Sequence, residues 1–234
     1  TNQGINAIAI GAGAGEQTQG SNAVAIGVSA GQTNQGGYSI AVGYTAGQSS
    51  QGLYAVSLGW SAGSENQQDY GIAIGYNAAS VSQGQTSVAI GYQAAKNSQG
   101  INAIALGTQA AYNSQGSGAI AIGLAAGSAS QGSNSIAIGT YAGQNQSTNS
   151  VAIGYQAGNA LQLNNSVAIG SSAGKTAQGQ ASIAIGTDAG GNIQGSYCIA
   201  IGDTAGLNNQ QLTAVAIGRN TGSNFQQISA VAIG

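Results

Sequence analysis

Hydrophobic and polar positions in this chain repeat with a fixed step. A motif of the form small-[Ile/Val]-Ala-[Ile/Val/Leu]-Gly ends at Gly11, Gly27, Gly43, Gly59, Gly75, Gly91, Gly107, Gly123, Gly139, Gly154, Gly170, Gly186, Gly202, Gly218 and Gly234. The step is 16 residues except between Gly139 and Gly154, where it is 15. A fixed internal period is the signature of a stacked repeat architecture. Within each motif a large β-branched residue, a small residue and a large residue alternate, as in Ile8-Ala9-Ile10. That period of two predicts a short strand. The recurring glycines speak against a helix.

Counted from the motif Gly, position −2 is Ala in 14 copies of 15, Ser57 being the exception, so the constraint there is tight. Position −4 is always small, position +3 is Ala in 13 of 14, and position +8 is Gln in 13 of 14. The remaining positions drift among polar residues. A few apolar residues per 16 make no core alone, but copies stacked at the strand spacing of about 4.8 Å do. The sequence therefore predicts an all-β chain, a parallel β-solenoid of about 15 coils of 16 residues, forming one tandem-repeat rod over 1–234 and roughly 70 Å long at that spacing. The glycine allows the corner after the strand. A stretch such as Glu16-Gln17-Thr18-Gln19-Gly20 predicts a second, more polar strand and turn. The short repeat is expected to trim a turn without breaking the stack, with Gln146 sliding into the role of the missing Gln. The chain starts and stops in mid-pattern and reads as a piece of a longer one.

Alternation alone offers two faces, and the large residues are expected inside. On that reading Ile122 is core, and Ala9, Ala25, Ala41, Ala73, Ala89, Ala105, Ala121 and Ala137 point outward as a flat oligomer face. Small side chains held constant along an outer surface would let a second copy approach closely. The fixed Gln has two readings: an amide ladder from coil to coil, or a cap on its own turn. Two aromatic files stand out, Tyr44, Trp60, Tyr76 and Tyr92 at position +1, and Tyr38, Tyr54 and Tyr70 at position −5. They read either as packing along the coil corners or as a platform for a sugar or protein partner.

Composition narrows the chemistry. Charged residues are 3% of the chain and the net charge is −2. Lys96, Lys175 and Arg219 are the only basic residues, too few to neutralise a run of phosphates, so nucleic acid is excluded as a partner. With no His, Ser-His and Cys-His pairs are impossible. Glu65 with Asp69 reads as a solvated turn. Asp188 and Asp203, nearly one coil apart, supply too few oxygens for a calcium ion. No catalytic, metal or cofactor residue is predicted, and no apolar run reaches membrane-spanning length. Cys198 occupies the small position −4 and reads as a buried substitute for Ala. Asn145 and Asn164 head Asn-x-Ser sequons, of consequence only in a secreted eukaryotic chain.

The run Asn149-Ser150-Val151-Ala152-Ile153-Gly154-Tyr155-Gln156-Ala157 resembles the head repeat of YadA-like trimeric autotransporter adhesins, and the resemblance extends over the whole chain. Similar Ala-Ile-Gly-Tyr-x-Ala repeats occur in phage tail fibres and in fibre-like proteins of large viruses. The bacterial repeat is nearer 14 residues, and no neck, coiled coil or anchor is seen here. The resemblance implies a left-handed β-roll, three chains side by side as a homotrimer, a place on a cell or virion surface, and attachment to a protein or glycan receptor. The expectation is a fibre or adhesin rod and no enzyme. The alternative is an ice-binding solenoid, which the lack of charge suits and the lack of an outward Thr ladder does not.

Overall fold

The computed structural model describes residues 2–234. It divides into two compact units, Thr1–Gly118 and Ala119–Gly234, each built by the same rule. Every ordered element among the described residues is a strand of two or three residues, and helix is absent from them. In the first unit the motif strands Ile8–Ile10, Val24–Ile26, Ile40–Val42, Val56–Leu58, Ile72–Ile74, Val88–Ile90 and Ile104–Leu106 form one parallel sheet. Each pairs with its equivalent in the next coil, Ala41 against Ser57 and Ala89 against Ala105. The second unit repeats this from Ile120–Ile122 to Val231–Ile233. Both units are parallel β-solenoids.

The more polar half of the coil also forms parallel strands, such as Gln17–Gln19 on Thr33–Gln35 and Ser130–Gln131 on Asn145–Gln146. The 15-residue repeat keeps the register: Ile136, Ala137 and Ile138 face Val151, Ala152 and Ile153. Its lost residue comes out of the connection, and Gln146 takes the place of the absent Gln at +8.

The corner after each motif strand demands glycine. The motif glycines sit at φ between 121° and 136°, a region closed to side chains. They also stack on one another: a Cβ on Gly75 would lie 2.5 Å from the carbonyl oxygen of Gly91.

The interior reverses the expected facing. Ala25, Ala41, Ala73, Ala89, Ala105, Ala121 and Ala137 are wholly buried, so they are the core and no oligomer face; only Ala9, in the first coil, is exposed. Ile122 and the other large motif residues point outward, and Ile26, Ile40 and Ile90 keep 36–39% of their surface open. The coil is too narrow for two isoleucines. Its interior holds the methyls at −2 and +3, the small residue at −4 and the side chain of one Gln. Invariance marked the inside, where there is room for one residue type. Exchange among Ile, Val and Leu marked the outside.

Candidate functional site

The Gln at +8 spans the interior. Its Nε2 donates to the carbonyl of the residue at −3 in its own coil, as Gln83 does to Ile72 at 2.8 Å and Gln210 to Ile199 at 2.8 Å. The same nitrogen donates to the Oε1 of the next coil's Gln: Gln51 to Gln67 at 3.1 Å, Gln67 to Gln83 at 2.9 Å, Gln162 to Gln178 at 3.0 Å. Ladder and local clasp are thus one arrangement, since an amide carries two N–H donors. Where the ladder skips a rung, an acceptor goes begging. Gln19 and Gln178 reach only backbone carbonyls, and the Oε1 atoms of Gln35 and Gln194 are left buried without a partner.

The outer surface of the motif sheet carries two files of Ile, Val and Leu, at −3 and −1, side by side. The aromatic files border it in coils of the first unit. Tyr38, Tyr54 and Tyr70 stack with ring centroids 5.0 Å and 5.3 Å apart and planes within 9°. Tyr44, Trp60, Tyr76 and Tyr92 stack at 4.2 Å, 6.4 Å and 5.3 Å. All seven remain exposed. Because the rings lie face on face like coins, their edges and polar tips are what they offer outward, and the ring faces that would cover a sugar are spent on one another. The three tyrosines at −5 have φ between 57° and 60°, which turns the chain into the strand.

Several charged side chains contact residues one coil away. Asp69 accepts the Leu53 amide N–H at 2.8 Å, Glu16 accepts from the Gln32 amide at 2.7 Å, and Lys96 lies over the Tyr112 ring. No group of acids, His or Cys among the described residues is arranged to hold a metal ion. Cys198 is buried, its Sγ donating to the Gln211 carbonyl at 2.8 Å. Burial pushes its thiol up, against the pull of backbone hydrogen bonds. Sequence reasoning missed one feature: an open depression of about 480 Å³ in the second unit, walled by Ile193, Leu212, Phe225 and Ile228. Its signal was apolar residues standing at turn positions that are polar in most coils. No helix among the described residues is long and apolar enough to cross a membrane.

The described residues thus form a parallel β-solenoid of short, similar coils with an apolar outer flank on the motif sheet. Residues 50–78, which hold Tyr54, Trp60, Tyr70 and Tyr76, match the family model of the YadA head domain repeat in two copies. The resemblance to YadA-like heads read from the sequence is thus supported by a family match. No curated protein and no solved structure matches the chain. Over residues 50–78 the repeat is thus similar to that of an adhesin-type head, and the parallel solenoid fold agrees with it.

Proposed function

We propose that this chain is the head of a surface fibre, on a cell or a virion, that stands as a parallel homotrimer and forms or presents an attachment surface for a protein or glycan receptor. The single tandem-repeat domain over 1–234 is part of this proposal. One observation carries the assembly: the double file of Ile, Val and Leu on the outer face of the motif sheet. In the first unit it comprises 14 side chains, every one half-buried or exposed, and a continuous apolar face of that kind marks a partner surface. A second copy is the fitting cover, because it repeats at the same coil spacing. Closed symmetry lets one face per chain suffice, and the likeness to trimeric adhesin heads selects three.

Light scattering on the parent at micromolar concentration tests this. The expected mass is three times the 22.5 kDa of the chain. A monomer mass would overturn the reading, and thermal hysteresis in the same sample would then favour ice binding.

A further inference from the structure

The repeat is its own control for what a coil needs at each position. Position +7 precedes the inward Gln, and in every coil of the first unit it is Thr, Asn or Ser. In the second unit the same file carries Ile193 and Phe225, one coil to either side of Asn209. Leu212 and Ile228 stand at +10 in the neighbouring turns. All four apolar side chains are exposed, so neither the core nor the stack accounts for them. Between Ile193 and Phe225 the short Asn209 leaves a gap, and Gly195 adds no side chain to fill it. That gap is the depression of about 480 Å³, within the ~300–1,000 Å³ of small-ligand sites. No charged residue lines it.

The coil-to-coil hydrogen bonding is also interrupted there. Ile193 accepts the Gln210 amide N–H at 2.9 Å, and Phe225 donates its own to the Asn208 carbonyl at 2.9 Å. Asn209 finds no partner among the described residues for its amide N–H, its carbonyl or its carboxamide. Its φ is 51°. Asn34 and Ser50 share that left-handed conformation in the first unit, but they are exposed among polar neighbours, whereas Asn209 is half-buried between apolar walls. A free main-chain donor and acceptor beside an apolar recess are what an extended peptide pairs with when it adds to a sheet, one of its side chains filling the recess. We infer that the depression is a peptide site: it takes one bulky aliphatic or aromatic side chain from an extended, uncharged segment of a partner protein, whose main chain bonds to Asn209. A second copy of this chain is a poor occupant, because four side chains fall far short of the about 20–30 residues a side of a stable interface. A sugar would set hydroxyls against Ile193, Leu212 and Ile228, where they go unpaired. The inference rests on the attachment reading above and not on the trimer, since every residue of the site belongs to one chain.

The test is saturation-transfer NMR on the full chain, which reads weak binding from the ligand's own protons. The probes are acetyl-Ser-Leu-Ser-amide, the same peptide with Ala at its centre, the Leu peptide N-methylated at all three residues, and hexan-1-ol. The Leu peptide should bind with the strongest transfer at its methyls, and the Ala peptide should bind more weakly by roughly tenfold or more. N-methylation removes the main-chain donors and should weaken binding by about two- to tenfold. Asn209→Phe puts into the gap the residue that Phe225 carries at a φ of 49°, and should abolish binding. Leu212→Ser, the residue at Ser196 in the same file, removes a wall and should weaken the Leu peptide about tenfold; it covers an Asn209 variant that fails to fold. Equal affinity for the Leu and Ala peptides, or binding that survives both variants, overturns the site. Binding of hexan-1-ol together with indifference to N-methylation shows an apolar recess without strand pairing and overturns the peptide assignment. No transfer to any probe overturns the site alone and leaves attachment to another face. A monomer mass in light scattering overturns the trimer instead and leaves every residue of this site in place.

Discussion

At the scale of the residue, the Gln at +8 replaces a hydrophobic core. The interior holds one long side chain per coil, and that side chain must also tie the backbone of a two-strand coil across its middle. A buried polar group is tolerable only when its hydrogen bonds are made. Gln83 makes them: its amide nitrogen reaches the carbonyls of Ile72 and Ser87 and the Oε1 of Gln99, and its oxygen accepts from Gln67. Leu has a similar volume and none of these groups. Gln83→Leu therefore strands a donor on one neighbour and an acceptor on another, each costing about 1–3 kcal/mol. A loss of about 2–5 kcal/mol is expected in denaturant melts of the variant, by that same principle. A variant as stable as the parent would show the ladder to be incidental.

At the scale of the element, the motif strand has two faces of opposite character, and they give opposite mutational outcomes. Ala121 is wholly buried, so Ala121→Asp puts a carboxylate where nothing can solvate or pair it, and the fold should be lost around it. Ile122, one residue on, points outward. Ile122→Asp should leave the circular dichroism of the strands unchanged and, on the proposed trimer, lower the mass toward that of single chains. Two variants that behave alike would place the faces wrongly. Much of this was legible in the sequence: the strand from its period of two, the coil from its period of 16, the glycine corners, the tolerance of the short repeat through Gln146, and Cys198 as a buried small residue. The facing was not. Alternation separates Ile8 and Ile10 from Ala9 and is silent on which side is in, and the habit of placing large apolar residues inside supplied the wrong answer. A coil of two short strands encloses room for one Gln and a few small side chains, and that dimension is a property of the closed backbone. The aromatic files were legible as stacks, and their positions on the two margins of one face followed only once the Ile and Val side was known to be the outer one.

At the scale of the whole molecule, stability comes from repetition of hydrogen bonds and from close packing, with almost no electrostatics. Eight charged residues serve 234 positions, and surface ion pairs contribute little in any case. Raising salt from about 0.1 M to 1 M, which shortens the Debye length from about 10 Å to 3 Å, should leave the melting temperature nearly unmoved. The pH profile should be flat for the same reason, with one limit. Among the described residues Cys198 is the buried side chain whose proton affinity is clearly displaced. Its thiol is raised above the ordinary 9.0, so the folded chain holds that proton at pH values where the unfolded chain releases it. The sign follows from linkage: the stabilisation is complete below the unfolded value and is lost as the pH climbs through and beyond it. Melts of the parent should therefore hold steady below 9 and weaken above it. Cys198→Ala places at −4 the residue found at Ala23, Ala55 and Ala214, fits the same space, and should flatten the alkaline limb. An alkaline loss of the same size in that variant would mean that the buried thiol is coupled to folding no more than the methyls stacked around it.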